Sequence, residues 1–520
     1  MLRRLVIALT TLLGLVGGLV IAAYLFVFAA GTDRAAAAVP AGATAYVTAY
    51  LQPSTGQQLN LATMLGNVPG FEDAAGLNEK LHQISARFLG QVGIDYEVDV
   101  RPWLGNQLSV AALPGEAPTA PRLLLLAGVK DRALAEAALP RLAASRGLVP
   151  QADTYAGTPI SVAPEASWAL LDELLLVASD RPTLEAALDA DANRRSSLSD
   201  DAGFNAAMRR LPADHLVAGY VNLAAARDGA GISDGFGGYS SLGVALLAEP
   251  EGLRLEGSAP FAADAADEDA RRAFALAGQV SGLAEWMPPD AQLGAVLYDL
   301  GGLLDTAEAG AELVPGGADL FRTIGQLRLL AAIGLGVSFD DDVGPLLNGE
   351  SGIAVSDLAN GAPHGQLILR PADPAAGLAA LQRLRDALAS HGATVTEQPA
   401  STVSVVGAQI PQVGEVHWAA VPDQGVVVLG FTYDDVAAAL AAASDRSLAD
   451  NPRYAEAWQL AGDRGGNELF VDIGALAEGS PDSLGMTGDA RDILLSISAL
   501  GVTLPARDDM SQLRAALTVR

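Results

Sequence analysis

The chain has no cysteine, which excludes a disulfide framework, a thiolate nucleophile and a cysteine-based metal centre. Lysine is almost missing: only Lys80 and Lys130 occur, and the arginines are scattered rather than gathered into a stripe. The net charge is −29, or −31 with Arg3 and Arg4 set aside. Such a chain repels phosphate backbones, so nucleic acid is not an expected partner. Histidine is confined to His82, His215, His364, His391 and His417. No two of them have metal-ligand spacing, and HExxH, P-loop and nucleophile-elbow motifs are all lacking. No catalytic, cofactor-binding or metal-binding residue is assigned, and a protein that is not an enzyme is expected.

What the chain does contain, it largely contains twice. The segment SLSDDAGFNAAMRRLPADHLVAGYVNLAAA from Ser197 returns as SLADNPRYAEAWQLAGDRGGNELFVDIGAL from Ser447. Leu198 falls on Leu448, Asp200 on Asp450, Phe204 on Tyr454 and Tyr220 on Phe470, a constant separation of 250. Trp168 meets Trp418 upstream, and DVRPWLGNQLSVAAL from Asp99 echoes DVGPLLNGESGIAVSDL from Asp342. The offset drifts from about 243 to 258, as insertions in loops produce. This period far exceeds the roughly 20–50 residues of solenoid repeats, so each copy is expected to be domain-sized.

Residues 5–31 carry no charge. As a helix, these 27 residues would extend about 40 Å, enough to cross a hydrocarbon core of about 30 Å with some tilt. A secretory apolar region is only about 7–15 residues long, so an uncleaved anchor is expected over a signal peptide. The small residues Ala35 to Ala38 are the place where cleavage would fall. Arg3 and Arg4 as the positive flank put the N-terminus in the cytoplasm and the bulk of the chain outside.

Runs such as Thr44–Tyr50, Leu123–Val129, Leu174–Ala178 and Leu216–Asn222 read as strands, and Ala133–Ala144, Ala375–Ser390 and Asp434–Ala443 as helices. Ser199 or Asp200, and Asp450, are the expected N-caps of the helices that follow them. The fold class expected is α+β: two duplicated units of mostly antiparallel sheet with packed helices, preceded by one transmembrane helix. The expected division is 1–38 for the cytoplasmic flank and anchor, 39–261 for the first unit, 262–286 for an acidic or helical linker and 287–520 for the second unit.

Several constellations have a bland and a sharp reading. Asp189, Asp191, Asn193 and Asp200 have the rhythm of a calcium loop, but Arg194 stands where its glycine belongs and Asp200 where a bidentate glutamate is usual. Asp340, Asp341 and Asp342 could face a cation, yet an acidic loop in an acidic chain requires none. Trp168 and Trp418 could stack on a ligand; a repeated aromatic more often anchors a core. The glycines from Gly229 onward lack the strand and helix that a phosphate-cradling loop requires.

The segments VPAGATAYVTAYLQPSTGQ (from Val39), VPGFEDAAGL (from Val68) and DYEVDVRPWLGNQLSVAAL (from Asp95) resemble the bacterial, membrane-anchored family catalogued as domain of unknown function 3352. The matching steps are Pro69-Gly70-Phe71 and Pro102-Trp103-Leu104-Gly105, and Gly42 departs from the acidic residue usual at its place. The resemblance implies one N-terminal anchor and brings no activity, cofactor or catalytic residue with it.

The expected partners are the lipid bilayer, through residues 5–31, and an apolar ligand or a cell-envelope protein. The function expected is non-catalytic binding by a membrane-anchored extracytoplasmic protein. The alternatives are a carboxylate-dependent hydrolase acting on envelope glycans, which needs two carboxyls about 5–9.5 Å apart, and a pure envelope scaffold, which needs an exposed apolar surface.

Overall fold

In the computed structural model the residues described are 28–29, 33–52, 54–69, 95–117, 120–225, 237–309, 338–358, 363–400, 402–410, 414–479 and 489–520. The expected anchor at 5–31 lies outside them apart from Phe28 and Ala29, which are extended and pair in parallel with Leu51 and Gln52. His82 and residues 229–236 also lie outside the described residues. Among the described residues no helix is long and apolar enough to cross a membrane.

Two compact units divide the chain between Asp267 and Glu268, and Asp509–Gln512 belongs with the N-terminal one. Numbered along the chain, the N-terminal unit contains β1 (Phe28–Ala29), β2 (Ala45–Gln52), β3 (Leu104–Ala117), β4 (Ala120–Val129), β5 (Gln151–Tyr155), β6 (Thr158–Val162), β7 (Ser167–Leu170), β8 (Leu174–Ala178), β9 (Val217–Asn222), β10 (Ser241–Glu249) and β11 (Gly252–Pro260). The C-terminal unit contains β12 (Leu293–Tyr298), β13 (Glu350–Ser356), β14 (His364–Arg370), β15 (Thr394–Ala400), β16 (Val403–Ile410), β17 (Gly414–Val421), β18 (Val426–Gly430), β19 (Glu468–Val471), β20 (Ile497–Thr503), β21 (Ala506–Arg507) and β22 (Met510–Val519).

The ladders of the N-terminal unit run β11–β10–β9–β2–β3–β4–β8–β7–β6–β5, all antiparallel. Those of the C-terminal unit run β22–β20–β19–β12–β13–β14–β18–β17–β16–β15, again all antiparallel. Even the register agrees. Val244, Gly219, Val47, Val110, Leu125 and Val177 stand opposite one another across six strands. Val502, Leu469, Ala295, Ile353, Leu367 and Leu429 do the same in the other unit. The expectation of mixed helix and antiparallel sheet holds in each.

Alternation along the strands decides what each face buries. In β2, Tyr46 and Thr48 are fully buried while Val47 between them is 49% exposed. Tyr46, Leu124, Leu126, Leu176 and Tyr220 pack with Leu184 and Leu188 of the helix Arg181–Asp191 and with Phe204 of the helix Ala202–Met208. A second cluster joins Trp103, Val129, Trp168 and Leu175 to Ala135 and Ala138 of the helix Arg132–Ser145. The C-terminal unit builds the same pair of cores, with Phe470, Val428 and Tyr454 in one and Trp418, Val427 and Ala380 in the other. Each large side chain buried this way contributes about 1.5–3 kcal/mol.

Some boundaries differ from expectation. Ala35, Ala36, Ala38 and Val39 are 0–1% exposed and lie in the first core, so the N-terminal unit begins inside the segment assigned to the anchor. Leu283, Ala284 and Trp286, expected as linker, are core residues of the C-terminal unit. The helix caps are Asp201 and Asn451, one residue beyond those expected. Asp200 and Asp450 instead close capping boxes with Ser197 and Ser447 on a preceding 3-10 turn. Asp509–Gln512 supplies the N-terminal unit with an acceptor and two side-chain contacts. Phe261 N–H donates to the Asp509 carbonyl at 2.8 Å, Tyr239 Oη meets Ser511 Oγ at 2.6 Å, and Ser258 Oγ meets Met510 Sδ at 3.0 Å.

Candidate functional site

The first charged residue after the uncharged stretch is Asp33, and it is tied down. Its Oδ1 accepts from Tyr46 Oη at 2.6 Å, Gln107 Nε2 at 2.6 Å and Ala36 N–H at 3.1 Å. Behind it, Gln107 Nε2 donates to Thr48 Oγ1 at 3.0 Å, and Thr48 Oγ1 meets Ser109 Oγ at 2.8 Å. Tyr46, Thr48, Gln107 and Ser109 are all buried, so this is an internal polar network with its members paired. Burial, with the Asp33 charge after it, pushes the Tyr46 phenol well above its ordinary pKa. Arg34 pairs with Asp191 at 2.5 Å, and the chain then enters the core through Ala35–Val39. These residues are part of the fold, not a tether.

The segment leads directly to a cavity of about 310 Å³, lined by Pro40, Gly42, Leu113, Pro114, Arg122, Pro182, Thr183, Ala186 and Arg195. It lies within the N-terminal unit, among the turn before β2, the β3–β4 hairpin and the first turn of the helix Arg181–Asp191. A Cβ added at Gly42 meets nothing within 4 Å, so the cavity is open at that point. Three proline rings and Leu113 make its walls apolar. Arg122 Nε donates to the Pro114 carbonyl at 2.9 Å. Asp180 caps the helix by accepting from Thr183 N–H at 2.7 Å. Burial raises the Asp180 carboxyl, but its hydrogen bonds and the Arg122 charge outweigh that and hold it below its ordinary value.

The residues singled out from sequence are not brought together. Asp189 accepts from Arg194 and Tyr155, Asp191 from Arg34, and Asp200 serves its capping box, so the calcium-loop carboxylates are each spent on separate structural contacts. Asp342 pairs with Arg383 of the helix Pro374–Ser390 at 2.9 Å. Asp99, its counterpart, pairs with Arg141 of the helix Arg132–Ser145 at 3.3 Å. His215 Nδ1 meets the Pro212 carbonyl and His391 Nδ1 that of Ala387. His364 Nδ1 meets Asp435 Oδ1 at 2.9 Å, and that hydrogen bond raises the imidazole pKa above its ordinary value. His417 Nδ1 lies 3.3 Å from the Phe431 carbonyl. Trp168 and Trp418 are core residues of their units. Among the described residues no three His, Cys, Asp or Glu are placed to hold a metal ion.

One buried charge pair escaped the sequence reading. Arg464 donates to Glu468 through Nε at 3.1 Å and a terminal nitrogen at 2.6 Å, and to Tyr454 Oη at 2.8 Å. Its guanidinium lies 5.4 Å from the Tyr454 ring centroid and 5.0 Å from that of Trp458. Burial pushes the Glu468 carboxyl above its ordinary value, only partly offset by Arg464. The i, i+4 spacing was the available signal, but nothing in it reveals burial.

No curated protein is significantly similar to the chain. Solved structures that match include crystal form III of TP0453, at 12% identity over 49% of this chain and 91% of that one with a TM-score of 0.26. Crystal form I of TP0453 matches at 10% identity over 47% and 84%, with a TM-score of 0.24. The family described as a protein of unknown function, DUF3352, matches residues 5–519, and the chain belongs to that family.

Proposed function

We propose that the chain is a non-catalytic binding protein, held on the outer side of a membrane by the uncharged stretch that precedes Phe28 and built from two copies of one ten-stranded unit. The duplication is supported by the identical ladder order and the two matching cross-strand rows, beside the repeated sequence. The anchor is supported by the uncharged stretch and by Arg3 and Arg4 before it. Non-catalysis is supported by the described histidines and repeated aspartates, whose side chains serve caps, ion pairs and backbone contacts.

The observation that carries the binding reading is the apolar-walled cavity reached a few residues after Asp33. Six residues lie between Asp33 and Pro40, and a chain of that length spans at most about 25 Å. Its volume is at the lower end of small-molecule sites. The test uses the full chain in nanodiscs, extracted and examined by mass spectrometry beside Gly42→Leu. That variant adds bulk at the cavity lining, where an added Cβ meets nothing within 4 Å. An apolar molecule present in near-stoichiometric amount with the native chain and missing with Gly42→Leu supports the reading. Identical extracts sink it.

A second reading, docking of an envelope protein, is favoured by the bare face of the N-terminal sheet. Val47, Val110, Leu123 and Leu125 are 37–49% exposed there, and grouped apolar side chains in water mark contact surfaces. A photo-crosslinking residue at Val110 in intact membranes that yields no discrete adduct removes this reading.

A further inference from the structure

We propose that the cavity is a site for a small amphiphilic anion, with a phosphate or carboxylate head between Arg122 and Arg195 and an apolar body against Pro40, Leu113 and Pro182. The proposal rests on the binding reading above and names its ligand class.

The charge inventory around the cavity points this way. In a chain of net charge −29, carboxylates are plentiful and neighbouring arginines have found them. Arg34 holds Asp191, Arg181 holds Glu185 and Asp153, and Arg194 holds Asp189. The two arginines on the cavity are different. Arg122 spends Nε on a carbonyl, leaving its terminal nitrogens. Arg195 has no side-chain hydrogen bond or ion pair among the described residues; its charge only acts on Asp189 from a distance. Asp180 is the carboxylate that feels Arg122, and its oxygens already accept from Thr183 N–H at 2.7 Å and Ser179 Oγ at 3.1 Å. Asp180 and Asp189 feel the two guanidinium groups, but both carboxylates already have nearer hydrogen-bond partners, Asp189 in Arg194, so nitrogens of Arg122 and Arg195 remain available at a cavity with apolar walls.

Guanidinium groups bind phosphate and carboxylate through paired N–H donors, and charge-assisted bonds of this kind are the strong ones. An inorganic anion would satisfy the arginines and leave the proline and leucine surface wet. An uncharged apolar molecule would cover that surface and leave the arginines unanswered. An amphiphile satisfies both. The volume of 310 Å³ corresponds to about ten water molecules at roughly 30 Å³ each, so a body of about six carbons with its head fits. Both arginines are exposed, so binding weakens as salt screens them.

The experiment titrates the full chain in phosphatidylcholine nanodiscs by calorimetry, with empty nanodiscs as the control. Hexyl phosphate carries head and body, hexyl glucoside the body without charge, and inorganic phosphate the charge without the body. The expected result is one hexyl phosphate per chain, bound at least tenfold tighter than either other probe. Arg122→Gln and Arg195→Gln each weaken it about tenfold without changing the melting temperature, and Arg→Lys at either position restores part of the loss. Gly42→Asp, which brings a carboxylate to the opening, weakens it as well. Equal binding of hexyl phosphate and hexyl glucoside overturns the anion assignment while leaving the binding reading intact. Inorganic phosphate as tight as hexyl phosphate overturns the amphiphile and leaves a bare anion site. Hexyl phosphate binding that ignores both arginine substitutions puts the site elsewhere. If no probe binds and the Gly42→Leu extract matches the native one, both readings fall together.

Discussion

Asp33 to Ala removes the knot that ties the start of the N-terminal unit to its sheet. One carboxylate oxygen accepts three hydrogen bonds, from Tyr46, Gln107 and Ala36, and bonds to a charged group contribute about 1.5–3 kcal/mol each. The three do not simply add. Tyr46 Oη retains Ser109 Oγ at 3.3 Å and Gln107 retains Thr48 Oγ1 at 3.0 Å, so neither is orphaned. The expected cost is about 3 kcal/mol, and about 1 kcal/mol for Asp33→Asn, which keeps an acceptor oxygen. For a unit of this size each kcal/mol lowers Tm by about 2–4 °C, giving a fall of about 6–12 °C for Ala. A second assay is trypsin release from membranes. The Arg34–Ala35 bond sits beside a fully buried residue, so the native chain yields the fragment beginning at Ala35 only slowly. The Ala variant yields it faster, because the segment must open locally for cleavage. If Asp33→Ala melts within about 2 °C of the native chain and releases that fragment at the same rate, then Asp33 is a solvated tether and the argument for a fixed joint is wrong.

Arg464→Ala leaves Glu468 buried without its cation. Breaking such a pair costs about 3–5 kcal/mol, and the lower end applies because Arg464 is a quarter exposed. Arg464→Ala/Glu468→Ala melts above the single variant, since the corresponding β9 residue of the N-terminal unit is Ala218; calorimetry of the four-member cycle gives the coupling. His364 has a folded pKa raised by Asp435, so its stabilising effect is complete below the unfolded value of about 6.5 and is lost as pH rises through the folded value. Because the ring is half exposed, the effect stays below about 1 kcal/mol. His364→Gln abolishes it, which melting curves of both proteins at pH 5.5 and 8.5 detect. The cysteine-free chain makes orientation easy to read: Ser145→Cys in intact cells reacts with a membrane-impermeant maleimide, and protection of that thiol reverses the proposed topology.

Much of the architecture was legible because repetition survives where side chains must alternate. Partners along the cross-strand rows are separated by 242 residues (Leu125 to Leu367) up to 258 (Val244 to Val502), the drift visible in the sequence itself. Asp99 and Asp342 repeat because each anchors the helix that follows the next two strands. Alanine was misread. Ala35–Ala38 has the composition of a cleavage site, and its place in the core of the N-terminal unit depends on residues far along the chain, Leu124 and Leu184 among them. The cap positions slipped because a Ser-x-x-Asp box closes a 3-10 turn one residue before the helix cap. The cavity was invisible for another reason. Pro40, Leu113, Arg122, Pro182 and Arg195 come from separate segments, and no local pattern announces that they converge.

Asp509–Gln512 also has a meaning in time. A growing polypeptide emerges in order, at about 5–20 residues per second. The acceptor for Phe261 and the partners of Tyr239 and Ser258 therefore reach the N-terminal unit only roughly 10–50 s after its own Asp267 has been made. Until then the Phe261 N–H and the Tyr239 and Ser258 hydroxyls wait without these partners. Truncation after Asp508 would thus injure the half of the molecule that was synthesised first.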